Sequence, residues 1–586
     1  MDDTFLRYYE HELDDLRRSS LRFAAEFPKV ARRLQLGEHE CADPYVERLL
    51  EGVAFLTARI ARKIDTSQAE FPETLLNTIA PEYNAPVASR AVLQIQPGES
   101  TAKLPAGTSF TARTALPDKP LCRYTLRESY EPSGVTLRAT AYDDTNALQL
   151  AAQAGLQAVG ALSLDLIGSD HTSADIRFFI DLPESAAGEL LQLLMSECPG
   201  IILAQEGEPL AILPPSALTE LPPPQGQLAL PPVAEYFIQP AQFAFFRLQG
   251  LGGYLSRSSR ATLSLLLNRA PSERLRLLLQ SGSPIKTDCV RAINLFERHL
   301  DRITPSWRPS EHLVADVTGN SDLEILQVLS LSAYDKDNSK LFDAHPCYHA
   351  SDSTMPTGNE RLNYFTTHRE APIAPPRHRV SPYLGSEVFL QLSGPDYTTS
   401  REVISSIATR ALCSNRDLPL FLRQDAILSS ASGQETATFA AGPSQPQAQL
   451  VQDQARWMGL TLARLTPATL ASYGEQALPG ILHTLLHHLH RESDATATHQ
   501  INGIQAATIR TTTRTVPILG DLCVIRGWAF DITLNEQAFG GSGTYLFARS
   551  LAAFLLELTE LNTFTTVTVR TSAGSIHTWQ QQANEP

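Results

Sequence analysis

The chain has 586 residues, with 63 acidic and 48 basic side chains and a formal charge of −15. That length allows about three to five domains, each able to bury a core without disulfides or metals. Apolar residues at 43% exclude global disorder, the net acidity argues against nucleic-acid binding, and 19% charged residues, below the roughly 25% of an average soluble protein, favour burial against partner chains.

From Thr4 to about Ile64 the pattern is helical, with Tyr9, Leu13, Leu16, Phe23 and Phe27 on a three/four spacing once Ser20 fills the missing slot, and Glu10, Asp14, Arg17 and Arg18 opposite. Phe27-Pro28 ends this helix, and Gly37 marks a loop. Asp43-Pro44 starts a second helix, whose apolar stripe is Val46, Leu49, Leu50, Val53, Leu56, Ile60 and Ile64. A short third helix over 72–79 is closed by Pro81 and Pro86. After Ser89 the period changes to two: Ala91, Leu93 and Ile95 alternate with Val92, Gln94 and Gln96. Pro105-Ala106-Gly107-Thr108 then supplies a tight turn before Ser109-Phe110-Thr111. Strands are predicted at 135–142, 161–167 and 175–182, followed by a helix over 183–196. Segments 214–232 and 430–449 have the composition of connections, and 345–382 that of a long surface loop with a role of its own. The end of the chain predicts a helix over 480–490, strands within 514–534, a helix over 544–561 and a last strand at 564–570.

Candidate chemistry is sparse. The seven cysteines are scattered and form no CxxC, which reads as reduced cytosolic thiols without structural zinc. His483 and His487 lie four apart, as two metal ligands on one helical face would, but no Glu follows His483 to make an HExxH motif. His488, His490 and the intervening leucines fit an ordinary amphipathic helix. Gly540-Gly541-Ser542-Gly543 lacks the Lys of a P-loop and reads as a turn into a helix. Glu297, His299 and Asp301 read as a charged helix face. No GxSxG is present and no cysteine has a nucleophile's context, so no catalytic residue is assigned and neither metal nor cofactor is expected. Phe237, Phe243, Phe245 and Phe246 read first as core and second as an inter-chain anchor. The acidic start has no apolar h-region, and no stretch approaches 18 uninterrupted apolar residues, which predicts a soluble, cytoplasmic protein.

An ordered series of motifs carries a resemblance. Tyr8-Tyr9-Glu10-His11-Glu12-Leu13 is followed by Phe23-Ala24-Ala25-Glu26-Phe27-Pro28 and by Cys41-Ala42-Asp43-Pro44-Tyr45-Val46-Glu47-Arg48-Leu49-Leu50-Glu51-Gly52. Then come Phe71-Pro72-Glu73, Pro81-Glu82-Tyr83, Asp288-Cys289-Val290-Arg291-Ala292-Ile293-Asn294-Leu295-Phe296, Ala411-Leu412-Cys413-Ser414-Asn415-Arg416-Asp417-Leu418-Pro419, Arg526-Gly527 and Asn562-Thr563-Phe564. Together these resemble the TssF (VasA, ImpG) family of type VI secretion baseplate subunits across nearly the whole chain. The chain departs from the family at Val290-Arg291, where Thr-Pro is common, and 430–449 has no counterpart.

The resemblance implies a structural wedge subunit of a contractile injection machine. It implies partners TssG, a second TssF copy, TssK, TssE and the VgrG hub, an indirect link to the sheath, no nucleic acid and no membrane insertion. It places the subunit at a baseplate docked to the inner-membrane complex. The rival readings are a wedge protein of a phage or extracellular injection particle, and a metal-dependent hydrolase using His483 and His487. The expected fold is α+β multidomain, an N-terminal helical bundle segment followed by β-rich domains with interspersed helices. Its expected parts are a helical region 1–88, a β-rich α+β domain 89–213, a Pro-rich connection 214–232, a central α+β domain 233–429, a flexible linker or loop 430–449 and a C-terminal α+β domain 450–586. Tyr9, Leu13, Leu16, Phe23, Phe27, Leu49, Val53, Leu56 and Ile60 are the expected partner-binding residues.

Overall fold

The computed structural model describes residues 3–29, 44–68, 70–96, 103–117, 119–168, 173–205, 211–255, 260–280, 283–305, 311–315, 322–347, 363–370, 383, 385–400, 403–448, 459, 461–462, 465–490, 494–518, 521–540, 543–560, 563–572 and 574–580. Gly37, the Asp43 cap, Gly541, Ser542 and most of 345–382 lie outside the described residues. The chain divides into two compact units, Met1–Leu76 and Asn77–Pro586.

The first unit is helical. Asp3–Glu26 and Pro44–Gln68 pack against each other, and the shorter helix Glu70–Ile79 runs across the division. The first helix stops at Glu26 because Pro28, two residues on, has no N–H to donate to the carbonyl four residues back and its ring would clash there.

At the centre of the second unit is a closed antiparallel barrel of six strands, in the order Arg90–Gln96, Cys289–Ile293, Cys122–Leu126, Ser109–Ala112, Leu428–Ser430 and Thr436–Ala441. Ala91, Leu93 and Ile95 enter its core with Phe110, Tyr124, Val290 and Ala437. Val92, on the opposite face, is equally buried because it joins the large neighbouring core, so this strand is covered on both sides. Gly107 takes φ +86° in the turn before the second strand, where the Thr108 hydroxyl donates to the Pro105 carbonyl at 2.7 Å.

Three expectations drawn from composition are overturned by the barrel and its neighbouring sheet. Segment 430–449 is no linker: Gly433 turns the chain at φ +73°, and Thr436–Ala441 closes the barrel against Arg90–Gln96. The Pro-rich segment 214–232 holds the strand Leu218–Glu220, which pairs with Phe245–Gln249. The barrel also draws strands from both sides of the expected boundaries at 213 and 429, so the sheets do not divide the chain where composition does.

Beside the barrel lie a four-stranded sheet (Ile285–Thr287, Asp175–Ile180, Phe245–Gln249, Leu218–Glu220) and a five-stranded sheet (Val135–Asp143, Gly160–Gly168, Ala261–Leu267, Ile201–Gln205, Ala211–Leu213). They share one large core with the C-terminal sheet Ile504–Ile518, Asp521–Leu534, Phe564–Thr571 and Gly574–Gln580. The parallel pair in that last sheet is joined through helix Thr544–Glu557, which is buried over most of its circumference. A seven-stranded sheet, from Phe296–His299 to Ser406–Ser414, has a separate core. Glu297 and His299, expected on a helix, lie on the edge strand Phe296–His299. Its pairing with Ser406–Ser414 overrides the local charge spacing, and Asp301 follows just beyond it.

Buried charge ties these parts together. Glu235, fully buried, accepts from Arg90 Nε and Nη2 at 3.1 Å and from Arg127 Nη1 and Nη2 at 2.8 and 3.0 Å. Burial alone would raise its carboxyl, but the two guanidiniums outweigh burial and hold it well below the usual carboxylate range. In the Pro-rich segment, Glu220 accepts from the Tyr545 hydroxyl at 2.7 Å and from Trp579 Nε1 at 2.9 Å, and pairs with Arg549 at 3.3 Å.

Candidate partner-binding surface

The residues singled out for chemistry do not assemble into a reactive site. His483 Nε2 lies 3.0 Å from the Ile504 carbonyl, whereas His487 Nδ1 faces His490 Nε2 at 3.1 Å, so the two histidines serve different neighbours. Gly540 adopts the left-handed conformation that ends a short 3-10 turn ahead of helix Thr544–Glu557. Glu297 pairs with Arg410 at 3.6 Å across the two strands. Phe243, Phe245 and Phe246 are core residues: Phe246 stacks on Phe178 at 5.0 Å and Phe245 meets Phe179 in a tilted contact at 4.9 Å, while Phe237 is partly buried against Phe547. Burial leaves Phe243, Phe245 and Phe246 unable to serve as an inter-chain anchor. Among the described residues, no group of three His, Cys, Asp or Glu side chains is placed to hold a metal, and no helix is long and apolar enough to cross a membrane.

The helical unit presents a different kind of surface. On Asp3–Glu26, Tyr9, Leu13 and Leu16 are half-buried, whereas Phe23 and, just past the helix end, Phe27 are exposed with their rings 5.2 Å apart. The opposite face carries the ion pair Asp14–Arg18 at 2.5 Å, one turn apart in water. On Pro44–Gln68 the apolar residues divide between two faces. Ala54 and Ala58 are fully buried, and their small side chains permit close helix packing, while Leu49, Val53, Leu56 and Ile60 are 69%, 45%, 57% and 58% exposed.

Those four residues are spaced four, three and four apart, with leucine alternating with a β-branched residue. That is the a/d pattern of a helix seam that receives a second helix. Covering the exposed part of each of these side chains would gain roughly 1–2 kcal/mol. Tyr45 and Phe55 extend the exposed patch. The stripe read from the sequence omits both, although Tyr45, four residues before Leu49, lies on the same face, whereas Phe55 lies off that face beside Leu56.

Comparison with known proteins follows the same line. A family model described as "Type VI secretion system, TssF" matches residues 1–586. Type VI secretion system component TssF1 of Pseudomonas aeruginosa is 30% identical, over 99% of this chain and 98% of its own length. A chain in the cryo-electron microscopy structure of the type VI secretion system TssK-TssF-TssG baseplate subcomplex superposes with a TM-score of 0.66 at 18% identity. The match covers 92% of this chain and 99% of that one, and at that identity the likeness establishes the fold.

Proposed function

The chain belongs to the TssF family of the type VI secretion system, and from that membership we propose a non-catalytic, mechanical role as a baseplate wedge subunit. The exposed seam Leu49, Val53, Leu56 and Ile60 carries the reading, because a soluble helix keeps a continuous a/d stripe in water only when another helix covers it. TssG and a second TssF copy are the proposed occupants of the seam and of Tyr9, Leu13, Leu16, Phe23 and Phe27. TssK, named with TssF and TssG in the structural neighbour's description, is a further partner of the wedge. TssE and the VgrG hub complete the proposed contacts, with the sheath reached indirectly, in the cytoplasm at a baseplate docked to the inner-membrane complex.

Co-expression with TssG followed by mass measurement of the complex tests the proposal. Two copies of this chain with one of TssG are expected. A chain that stays alone in the presence of folded TssG would sink it.

A further inference from the structure

The seven-stranded sheet is an insertion in the barrel. All its strands fall between Phe296 and Ser414, and the barrel strands Cys289–Ile293 and Leu428–Ser430 stand on either side of it in the chain. Its core, with Leu331, Phe365, Leu390 and Ile407 among its members, shares no residue with the barrel core. The chain enters and leaves side by side, since Phe296 pairs with Cys413 and Glu297 with Leu412.

At that crossing stand Asn294 and Asn415, both buried. The Asn415 backbone N–H donates to Asn294 Oδ1 at 2.7 Å, and Asn294 Nδ2 donates to Asn415 Oδ1 at 2.9 Å. Both side chains also grip the barrel segment beside them. Asn294 Nδ2 donates to the Arg123 carbonyl at 2.7 Å, the Arg123 N–H donates to Asn415 Oδ1 at 2.9 Å, and Asn415 Nδ2 donates to the Leu121 carbonyl at 3.3 Å. Around the pair is a small apolar patch of Ala85, Ala88, Ile293, Leu295, Leu326 and Leu412. Among the described residues, polar contacts away from this axis are Lys119 Nζ to Asp322 Oδ1 at 2.7 Å, Asn77 Nδ2 to the Thr367 carbonyl at 3.2 Å, the Thr78 hydroxyl to the Cys347 carbonyl at 3.5 Å, and the Arg416 guanidinium over the Tyr383 ring at 5.7 Å. Polar contacts of this kind exchange for water at small net cost, whereas each core opens only as a whole.

We propose that the sheet of residues 296–414 is an autonomously opening module that swings about the buried Asn294–Asn415 pair. A body with its own core, joined through one pair of adjacent strands, has the form of an inserted domain on a hinge. The proposal stands independently of the baseplate reading.

Native-state hydrogen exchange of the full chain, read by mass spectrometry across low denaturant concentrations, tests it. Amides of Glu324–Tyr334 and Ser406–Ser414 are expected to open together, at lower denaturant than those of Arg90–Gln96 and Cys289–Ile293. Asn415→Ala removes three side-chain hydrogen bonds and is expected to make module opening about tenfold more frequent. Lys119→Ala, a milder change outside both cores, is expected to speed module opening while leaving the barrel strands unmoved. A single isotherm shared by module and barrel would overturn the autonomy. Variants that shift both sets of strands equally would overturn the pivot.

Discussion

Three single residues set the sign and size of the expected mutational effects. Glu235→Gln leaves Arg90 and Arg127 buried without their counter-charge, and breaking a buried ion network from one side costs about 3–5 kcal/mol, readable as a lower urea midpoint. The pH dependence has a definite direction. The folded carboxyl titrates below its unfolded value, so its stabilisation is complete above the unfolded value of about 4.3 and is lost as pH falls through the lower folded one. The wild-type chain is therefore expected to lose stability below about pH 5 more steeply than Glu235→Gln. Gly527 pairs with Phe564 at the start of the parallel ladder, where a Cβ would stand 2.4 Å from the Phe564 carbonyl oxygen and 2.6 Å from its ring. Backbone has to move to admit it, and Gly527→Ala is expected to cost about 1–3 kcal/mol in the thermal transition. Gly52 is the opposite case. It sits inside helix Pro44–Gln68, and a methyl group added there would meet nothing within 4 Å, so Gly52→Ala is expected to raise helix stability by about 0.5–1 kcal/mol, visible as a higher melting temperature.

At the scale of elements, the seam of Pro44–Gln68 separates folding from assembly. Leu49→Asp with Leu56→Asp changes side chains already in water, so circular dichroism and the melting transition are expected to hold within about 0.5 kcal/mol per site. Co-purification with TssG is expected to fail; unchanged recovery of the complex would remove these two residues from the interface. This helix is legible in the sequence because a period near 3.6 and Pro at its first position are local signals, and the helix Glu184–Ser196 is readable for the same reason, Pro183 preceding an apolar run. Phe296–His299 is not, because four residues rich in charge become a strand only through partners more than a hundred positions away. Thr436–Ala441 is hidden by the Ser, Gly, Gln and Pro around it, although Thr-Ala-Thr-Phe suits a strand well enough. The exposed stripe can be read from sequence as apolar and periodic. Which apolar residues face the solvent cannot, since Ala54 and Ala58 take the buried side in spite of the larger residues nearby.

At the scale of the molecule, the division into two compact units predicts that the first two helices can be removed without unfolding the second unit. A chain lacking residues 1–68, which keeps helix Glu70–Ile79 whole, is expected to keep the melting transition of the second unit and to lose TssG, which calorimetry and co-purification together would read. The six-stranded barrel has a further consequence, one of timing during synthesis. Its strand Arg90–Gln96 leaves the ribosome long before Thr436–Ala441, the neighbour that closes the ring. At ~5–20 residues per second the interval is roughly 20–70 seconds. Over that interval the nascent chain carries bare strand edges that nothing encoded earlier can cover, and such edges recruit other chains. Recovery of soluble protein is thus expected to depend on holdase chaperones acting during translation, and an mRNA that stalls the ribosome before codon 441 would yield aggregate in place of a shorter folded protein.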